Sequence, residues 1–264
     1  MKSIRGKKAL VTGAGSGIGR AIALALAQEG ADVCLLGRDV TKLEATAAAV
    51  KTYGVDAVIS TCDLSQPAQI TAAVNDLLAR WRLLDILVNN AGLAYYGPMG
   101  SMTAAEWTQI LAVDLLAPIQ LVRELLPALQ AREEAHVVNV SSIFGLAQAR
   151  KLAAYQTSKF GLVGFSTALA AESGSRKFGV TTLCPGFVRT QMLEKYAGGQ
   201  ASRDRRRVAS WASTSVEQVA AAAIRAIYAN KAIVVMPWSA KLLWWATRIA
   251  PNGMAWLMRK GWCK

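Results

Sequence analysis

The sequence predicts an α/β protein built on one doubly wound parallel sheet with helices on both faces. Three observations predict it. Short apolar runs alternate with longer runs of helical period, seven times between residues 9 and 235, without a break in composition. The short runs are apolar throughout rather than alternating with polar residues, the pattern of strands covered on both faces. The first of them passes directly into a glycine-rich turn that opens a helix. At 264 residues one such domain accounts for most of the chain. It is expected over residues 1–236, with an extension of different character over 237–264.

Taken in order, residues 9–12 (ALVT) form the first strand and 17–29, apolar at helical spacing, the first helix. Strand 32–36 precedes helix 40–52, whose start is marked by Asp39 as an N-cap. Strand 57–61 leads to helix 66–81, and strand 86–89 to a long helix over 104–129 in which Pro118 predicts a bend. Strand 137–140 leads to helix 153–172. Strand 180–184 is followed by an irregular segment reaching residue 213. Helix 216–229 and strand 232–235 complete the sheet, giving seven parallel strands.

Composition narrows the function classes. Hydrophobic residues make up 53%, enough for a sizeable core, and the net charge is +13. That charge points to an anionic ligand, a membrane surface or a nucleic acid. Nucleic acid is the poorest of the three, because no binding motif accompanies the charge. The four cysteines, Cys34, Cys62, Cys184 and Cys263, show no paired spacing and read as thiols of a reducing compartment, which suits the cytoplasm. The one histidine, His136, excludes a His-based metal site or triad, and no metal is expected. No apolar run is long enough for a signal-peptide core or a spanning helix.

The chemistry is carried by five short motifs. Thr12-Gly13-Ala14-Gly15-Ser16-Gly17-Ile18-Gly19 sits in the first strand-to-helix turn. There glycines let backbone approach a pyrophosphate and the helix N-terminus faces it. Asn89-Asn90-Ala91-Gly92 ends the fourth strand, and Asn139-Val140-Ser141-Ser142 ends the fifth. Tyr155 and Lys159 lie four apart on the next helix, on one face, so that an ammonium stands beside a phenol and lowers its pKa toward working pH. Pro185-Gly186-Phe187-Val188-Arg189-Thr190 follows the sixth strand.

In this order and spacing the motifs resemble the short-chain dehydrogenase/reductase family in its single-domain, Rossmann-like form, over roughly residues 5–236. The resemblance implies the site. Tyr155 is the general acid–base on a carbonyl or hydroxyl oxygen, and Lys159 holds the nicotinamide ribose and lowers the tyrosine pKa. Ser142, thirteen positions before the tyrosine, polarises the substrate oxygen. Gly13, Ser16, Gly17, Ile18, Gly19, Asp63, Leu64, Asn90, Ala91, Pro185, Gly186, Val188 and Thr190 line the cofactor, together with Tyr155 and Lys159. One position departs from the family pattern: Val113-Asp114-Leu115 stands where an asparagine is usual. Asp114 keeps an acceptor oxygen, loses the amide donor and can add a charge. The proton relay through Lys159 is therefore expected to be altered rather than abolished, unless Asp114 only pins its helix.

Cofactor choice is read after the second strand. Gly37 stands where an acidic residue would bind a ribose 2′-hydroxyl, and Arg38, suited to a 2′-phosphate, follows. NADP(H) is expected over NAD(H), although Arg38 can equally stack on adenine. Leu93, Ala94, Tyr95, Tyr96, Phe144 and Leu146 near the catalytic end suggest an apolar, lipid-like substrate. A basic, glycine-containing substrate lid is expected over 190–214, carrying Arg203, Arg205, Arg206, Arg207 and Trp211.

The tail is distinctive. No acidic residue follows Glu217, and Trp238, Trp244, Trp245, Trp256 and Trp262 are five of the eight tryptophans. On a helix from residue 239, Leu242, Trp245 and Ile249 share a face, with Lys241, Trp244 and Arg248 on another; Pro251-Asn252-Gly253 breaks it. Two readings stand: an interfacial helix contacting a membrane, or a tail packed on its own sheet or on a partner subunit. The resemblance implies a homodimer or homotetramer paired through the fourth and fifth helices. The functional expectation is an NADP(H)-dependent oxidoreductase interconverting a secondary alcohol and a ketone. The alternative is a nucleotide-binding sensor or scaffold protein of the same fold with little turnover, for which only Asp114 speaks.

Overall fold

The computed structural model describes residues 1–173, 177–188 and 213–260. Arg189, Thr190, the lid residues to 212, and Trp262, Cys263 and Lys264 lie outside the described residues.

The strands are β1 (Lys8–Thr12), β2 (Asp32–Gly37), β3 (Ala57–Thr61), β4 (Ile86–Asn89), β5 (Ala135–Val140), β6 (Phe178–Pro185), β7 (Phe187–Val188), β8 (Ser213–Thr214) and β9 (Ile233–Met236). Seven of them form one sheet in the order β3-β2-β1-β4-β5-β6-β9, every pair parallel. Chain order reverses between β1 and β4, so their C-terminal ends diverge into a crevice, the place where such sheets bind ligands.

The helices are α1 (Gly17–Gln28), α2 (Val40–Lys51), α3 (Pro67–Trp81), α4 (Ala104–Leu111), α5 (Ala117–Gln130), α6 (Ala153–Ser173), α7 (Val216–Ala229), α8 (Trp238–Ile249) and α9 (Pro251–Arg259). Alternate strand residues supply the two cores. Val11, Val33 and Val88 face Ile22 and Leu26 of α1 and Ile227 of α7. Leu10, Cys34 and Leu87 face Val74 and Leu77 of α3 and Leu121 and Leu125 of α5. Each such side chain contributes roughly 1.5–3 kcal/mol by leaving water, which explains why a run apolar at every position folds only as a strand sandwiched between helix layers.

Three expectations are corrected. The bend in the long helix is not at Pro118 itself but in a wider turn over Ala112–Leu116, with Ala117 N–H bonded to the Ala112 carbonyl five residues back. Pro118 has no N–H to give the carbonyl of residue 114, so regular helix cannot continue through Asp114. β3 is an edge strand, half-exposed, with Ile59 open to solvent. The segment thought irregular up to residue 213 includes a two-strand pair, β7 with β8. The expected break in the tail is found: α8 ends at Ile249, and Pro251 opens α9 as its first residue.

Candidate active site

The site is assembled at the switch point. Thr12 Oγ1 accepts the backbone N–H groups of Asn90 (2.9 Å) and Ala91 (3.0 Å), and the Asn90 side-chain amide donates to the Thr12 carbonyl at 2.9 Å. These bonds tie the ends of β1 and β4 together. Gly13 has φ +65°, which a side chain would strain. Gly19 has a different reason: a Cβ there would run into the Gly13 carbonyl and the Asn90 amide. Its absence lets α1 start against the turn. Ser16 caps α1 in extended conformation without spending its side chain on the helix, so the N-terminal N–H groups and the positive end of the dipole face the crevice.

A cavity of about 720 Å³ runs from Arg38 and Asp63, past this turn, to Ser142, Tyr155, Lys159 and Phe187. Gly13, Ser16, Gly17, Ile18, Leu64, Asn90, Ala91, Pro185, Gly186 and Val188 also line it. Gly19 and Asp114 sit one layer behind the wall. At the far end Asp39 accepts Lys42 N–H at 3.2 Å as the cap of α2, while Arg38 lines the cavity. Asp63 is held below the usual carboxylate range, first by the Ser65 N–H at 2.9 Å and in smaller part by Arg38.

At the catalytic end, β5 delivers Ser141 and Ser142 to a short turn, Ile143–Gly145. A Cβ on Gly145 would meet Ser141 Oγ at 2.6 Å and the Lys159 carbonyl at 2.7 Å, so this glycine seats the turn on α6. Ser141 Oγ donates to that carbonyl at 3.1 Å. Ser142 Oγ accepts the Phe144 N–H at 3.2 Å, and Ser142 and Tyr155 both line the cavity, the hydroxyl pulling the phenol pKa down. Lys159 Nζ lies 5.6 Å from the Tyr155 ring centroid and donates to the Val140 carbonyl at 3.3 Å. Behind α6, Asn89, Asn139 and Ser166 form a buried chain of 2.8 Å hydrogen bonds that fixes β4, β5 and the helix in register.

Asp114 lies fully buried in the wide turn. Its Oδ1 accepts Leu93 N–H at 2.6 Å. Its Oδ2 stands 3.2 Å from Lys159 Nζ, an ion pair rather than a well-aligned hydrogen bond. Burial raises the Asp114 pKa, against the pull of Lys159 and the Leu93 N–H. Burial alone would lower Lys159, but Asp114 and then Tyr155 outweigh it and hold the ammonium charged. For Tyr155 the expected depression is overturned. Burial is the largest influence and raises the phenol, Lys159 and Ser142 pull it down less, and Asp114 adds to the rise.

Near the Tyr155 end the wall is apolar: Leu93, Ala94, Phe144, Leu152 and Phe187. Phe144 meets Phe187 edge to face at 5.9 Å. Tyr95 and Tyr96 do not line the cavity; Tyr95 OH donates to the Ser101 carbonyl at 3.0 Å, and Tyr96 lies under Lys151. Leu146 packs beneath α8 instead. Phe187 was within a motif already singled out, whereas Leu152 gave no signal in the sequence.

The sequence matches the short chain dehydrogenase family over residues 7–201. It is 37% identical over 195 residues to nodulation protein G of Rhizobium sp. (strain N33), covering 74% of this chain and 78% of that protein. Among solved structures it is similar to a metagenomic short-chain oxidoreductase in complex with NADP, at 33% identity and TM-score 0.74, covering 89% of this chain and 97% of that one. It is also similar to a short chain dehydrogenase/reductase from Burkholderia phymatum in complex with NAD, at 26% identity and TM-score 0.80, covering 89% and 90%.

Proposed function

This chain belongs to the short-chain dehydrogenase/reductase family, whose NAD(P)-dependent members act on alcohol and ketone groups, and from that premise we propose an NADP(H)-dependent oxidoreductase interconverting a secondary alcohol and a ketone on an apolar, lipid-like substrate. The observation that carries the reading is the meeting of Ser142, Tyr155 and Lys159 on the wall of one cavity, with Lys159 Nζ 5.6 Å from the Tyr155 ring centroid.

The residues fit a dinucleotide: the cradle a Cβ would fill at Gly19, the free N-terminus of α1, and Arg38 beside Gly37 at the outer end. When bound, the nicotinamide supplies or accepts the hydride at the substrate carbon. Gly13, Ser16, Gly17 and Ile18 seat the pyrophosphate, and Arg38 meets a 2′-phosphate that Gly37 leaves room for. Ser142 donates to the substrate oxygen. Tyr155 gives that oxygen its proton in reduction and removes it in oxidation. Burial raises the phenol pKa, so Tyr155 enters the reductive step as the protonated proton donor. Lys159 orients the ribose. Asp114 holds the Lys159 ammonium in place and partly offsets its charge, so it acts as a positioning residue.

The apolar wall of Leu93, Ala94, Phe144, Leu152 and Phe187 supports a substrate with few polar groups. Three free buried thiols, Cys34, Cys62 and Cys184, support a reducing, cytoplasmic setting. Exposed Leu116 and Phe160, on the turn before α5 and on α6, support a homodimer or homotetramer paired through those helices.

The test is NADPH oxidation, compared with NADH, against hydroxysteroids, acyl thioesters, long-chain ketones and simple ketones. Tyr155→Phe is expected to lose about 10²–10⁴-fold in kcat. Nucleotide binding without turnover by the wild-type protein on every member of the panel would favour the sensor reading, and faster NADH oxidation would remove Arg38 from its assigned role.

A further inference from the structure

Outside the active site, α8 carries two apolar faces. Its inner face, Ala240, Leu243, Trp244 and Thr247, packs on Ile143, Ala147, Cys184 and Val235. Thr247 Oγ1 reaches the Leu146 carbonyl at 3.5 Å, and Ala240 closes on Gly186. α8 is therefore the outer cover of the turn that carries Ser142 and Phe144.

At about 100° per residue, Trp238, Leu242, Trp245 and Ile249 fall within about 60° of one another, diametrically opposite the packed face. These four apolar side chains are exposed, at 61%, 58%, 56% and 78%, and Trp256 on α9 is 54% exposed. A surface helix normally turns such residues inward; here both faces are apolar. The stripe is edged by cations. Lys241 and Arg248 lie along one side of α8, and Arg259 and Lys260 end α9, all exposed. Arg248 lies 5.5 Å from the centroid of Trp244, and Lys260 4.1 Å from that of Trp256. No acidic residue follows Glu217 in the sequence.

We propose that the outer face of α8 together with Trp256 docks on an anionic membrane surface. Aromatic and aliphatic side chains entering the headgroup region beside cations are what such a surface selects. A second copy of the chain fits the face less well. A two-fold contact would set Lys241 and Arg248 against their own kind. One helix face about 17 Å long also falls short of the roughly 800 Å² per partner of a stable dimer. Among the described residues no helix is long and apolar enough to cross a membrane, so the contact is peripheral. Docking in this orientation leaves α8 between the lipid surface and the turn that carries Ser142, about one helix diameter apart. The inference rests on the surface itself and not on the substrate reading, because its readout is binding.

The experiment is co-sedimentation of the full chain with phosphatidylcholine vesicles containing about one-third phosphatidylserine, against phosphatidylcholine alone, at low and high salt. Binding is expected with the anionic vesicles and is expected to fall with salt. Leu242→Ser with Trp245→Ser should weaken the partition coefficient about tenfold or more with an unchanged thermal melt. Should that variant fail to fold, Lys241→Glu with Arg248→Glu gives the same readout through charge. Wild-type-like binding by either folded variant, or no vesicle binding by the wild type, overturns the proposal. So does a change confined to oligomer mass by light scattering, which would assign the face to a second copy.

Discussion

Asp114 divides its two carboxylate oxygens between the Leu93 amide and the Lys159 ammonium. An asparagine could keep one of these contacts but could not carry the charge. The negative charge raises both Lys159 and Tyr155. In the oxidative direction Tyr155 must first lose its proton, so the rate rises with pH through the phenol pKa. Asp114→Asn removes a charge that pushes that pKa up. The rising limb of kcat/KM for alcohol oxidation is therefore expected to move to lower pH, with the cofactor Kd little changed. A limb that stays where it is would mean the carboxylate does not act through Lys159 and Tyr155.

At the scale of elements, the first turn is held by close packing as much as by hydrogen bonds. Gly19→Ala places a methyl group against the Gly13 carbonyl and the Asn90 amide, where neither can withdraw without releasing β4 from β1. The cost is expected at about 1–3 kcal/mol from overpacking, read as a lowered urea midpoint, together with weakened nucleotide binding. Gly100, around whose Cβ position the space is open, is the control. The break over Ala112–Leu116 belongs to the same scale. Pro118 removes the N–H that would close a regular turn, and the widened backbone delivers Asp114 to Lys159.

At the scale of the whole molecule, stability in mild acid is tied to His136, the one histidine of the chain. It is buried in β5 with Nε2 2.8 Å from Thr181 Oγ1, and burial pulls its pKa down from 6.5 to about 3. The unfolded chain binds this proton below its ordinary pKa and the folded one does not. Stability is therefore full above about pH 6.5 and falls as pH drops toward 3. Between pH 6.5 and 5 the fall is expected at roughly 2 kcal/mol. Urea melts across that range check it: His136→Gln, whatever its own stability, should lose this part of the slope. Assembly is a second property of the whole. Leu116 and Phe160 are exposed in the single chain, and Phe160→Glu is expected to yield a smaller species by light scattering. An unchanged mass would place subunit pairing elsewhere.

The seven strands of the parallel sheet, the glycine turn and the Ser142, Tyr155 and Lys159 set were legible before folding, because each depends on local pattern. An apolar run at every position needs two covering layers, and a four-residue spacing fixes a helix face. Leu152 joining the wall, Tyr95 and Tyr96 leaving it, and the upward shift of Tyr155 were not legible. Each depends on which groups from distant elements share a desolvated volume, and the helical spacing of Tyr155 and Lys159 carries no record of burial or of Asp114 behind them. The tail shows the same division. Its tryptophans, cations and lack of acids were written in the sequence, but only packing decided that Trp244 turns inward while Leu242, Trp245 and Ile249 face out. Two apolar faces of one helix are alike in sequence until the protein covers one of them.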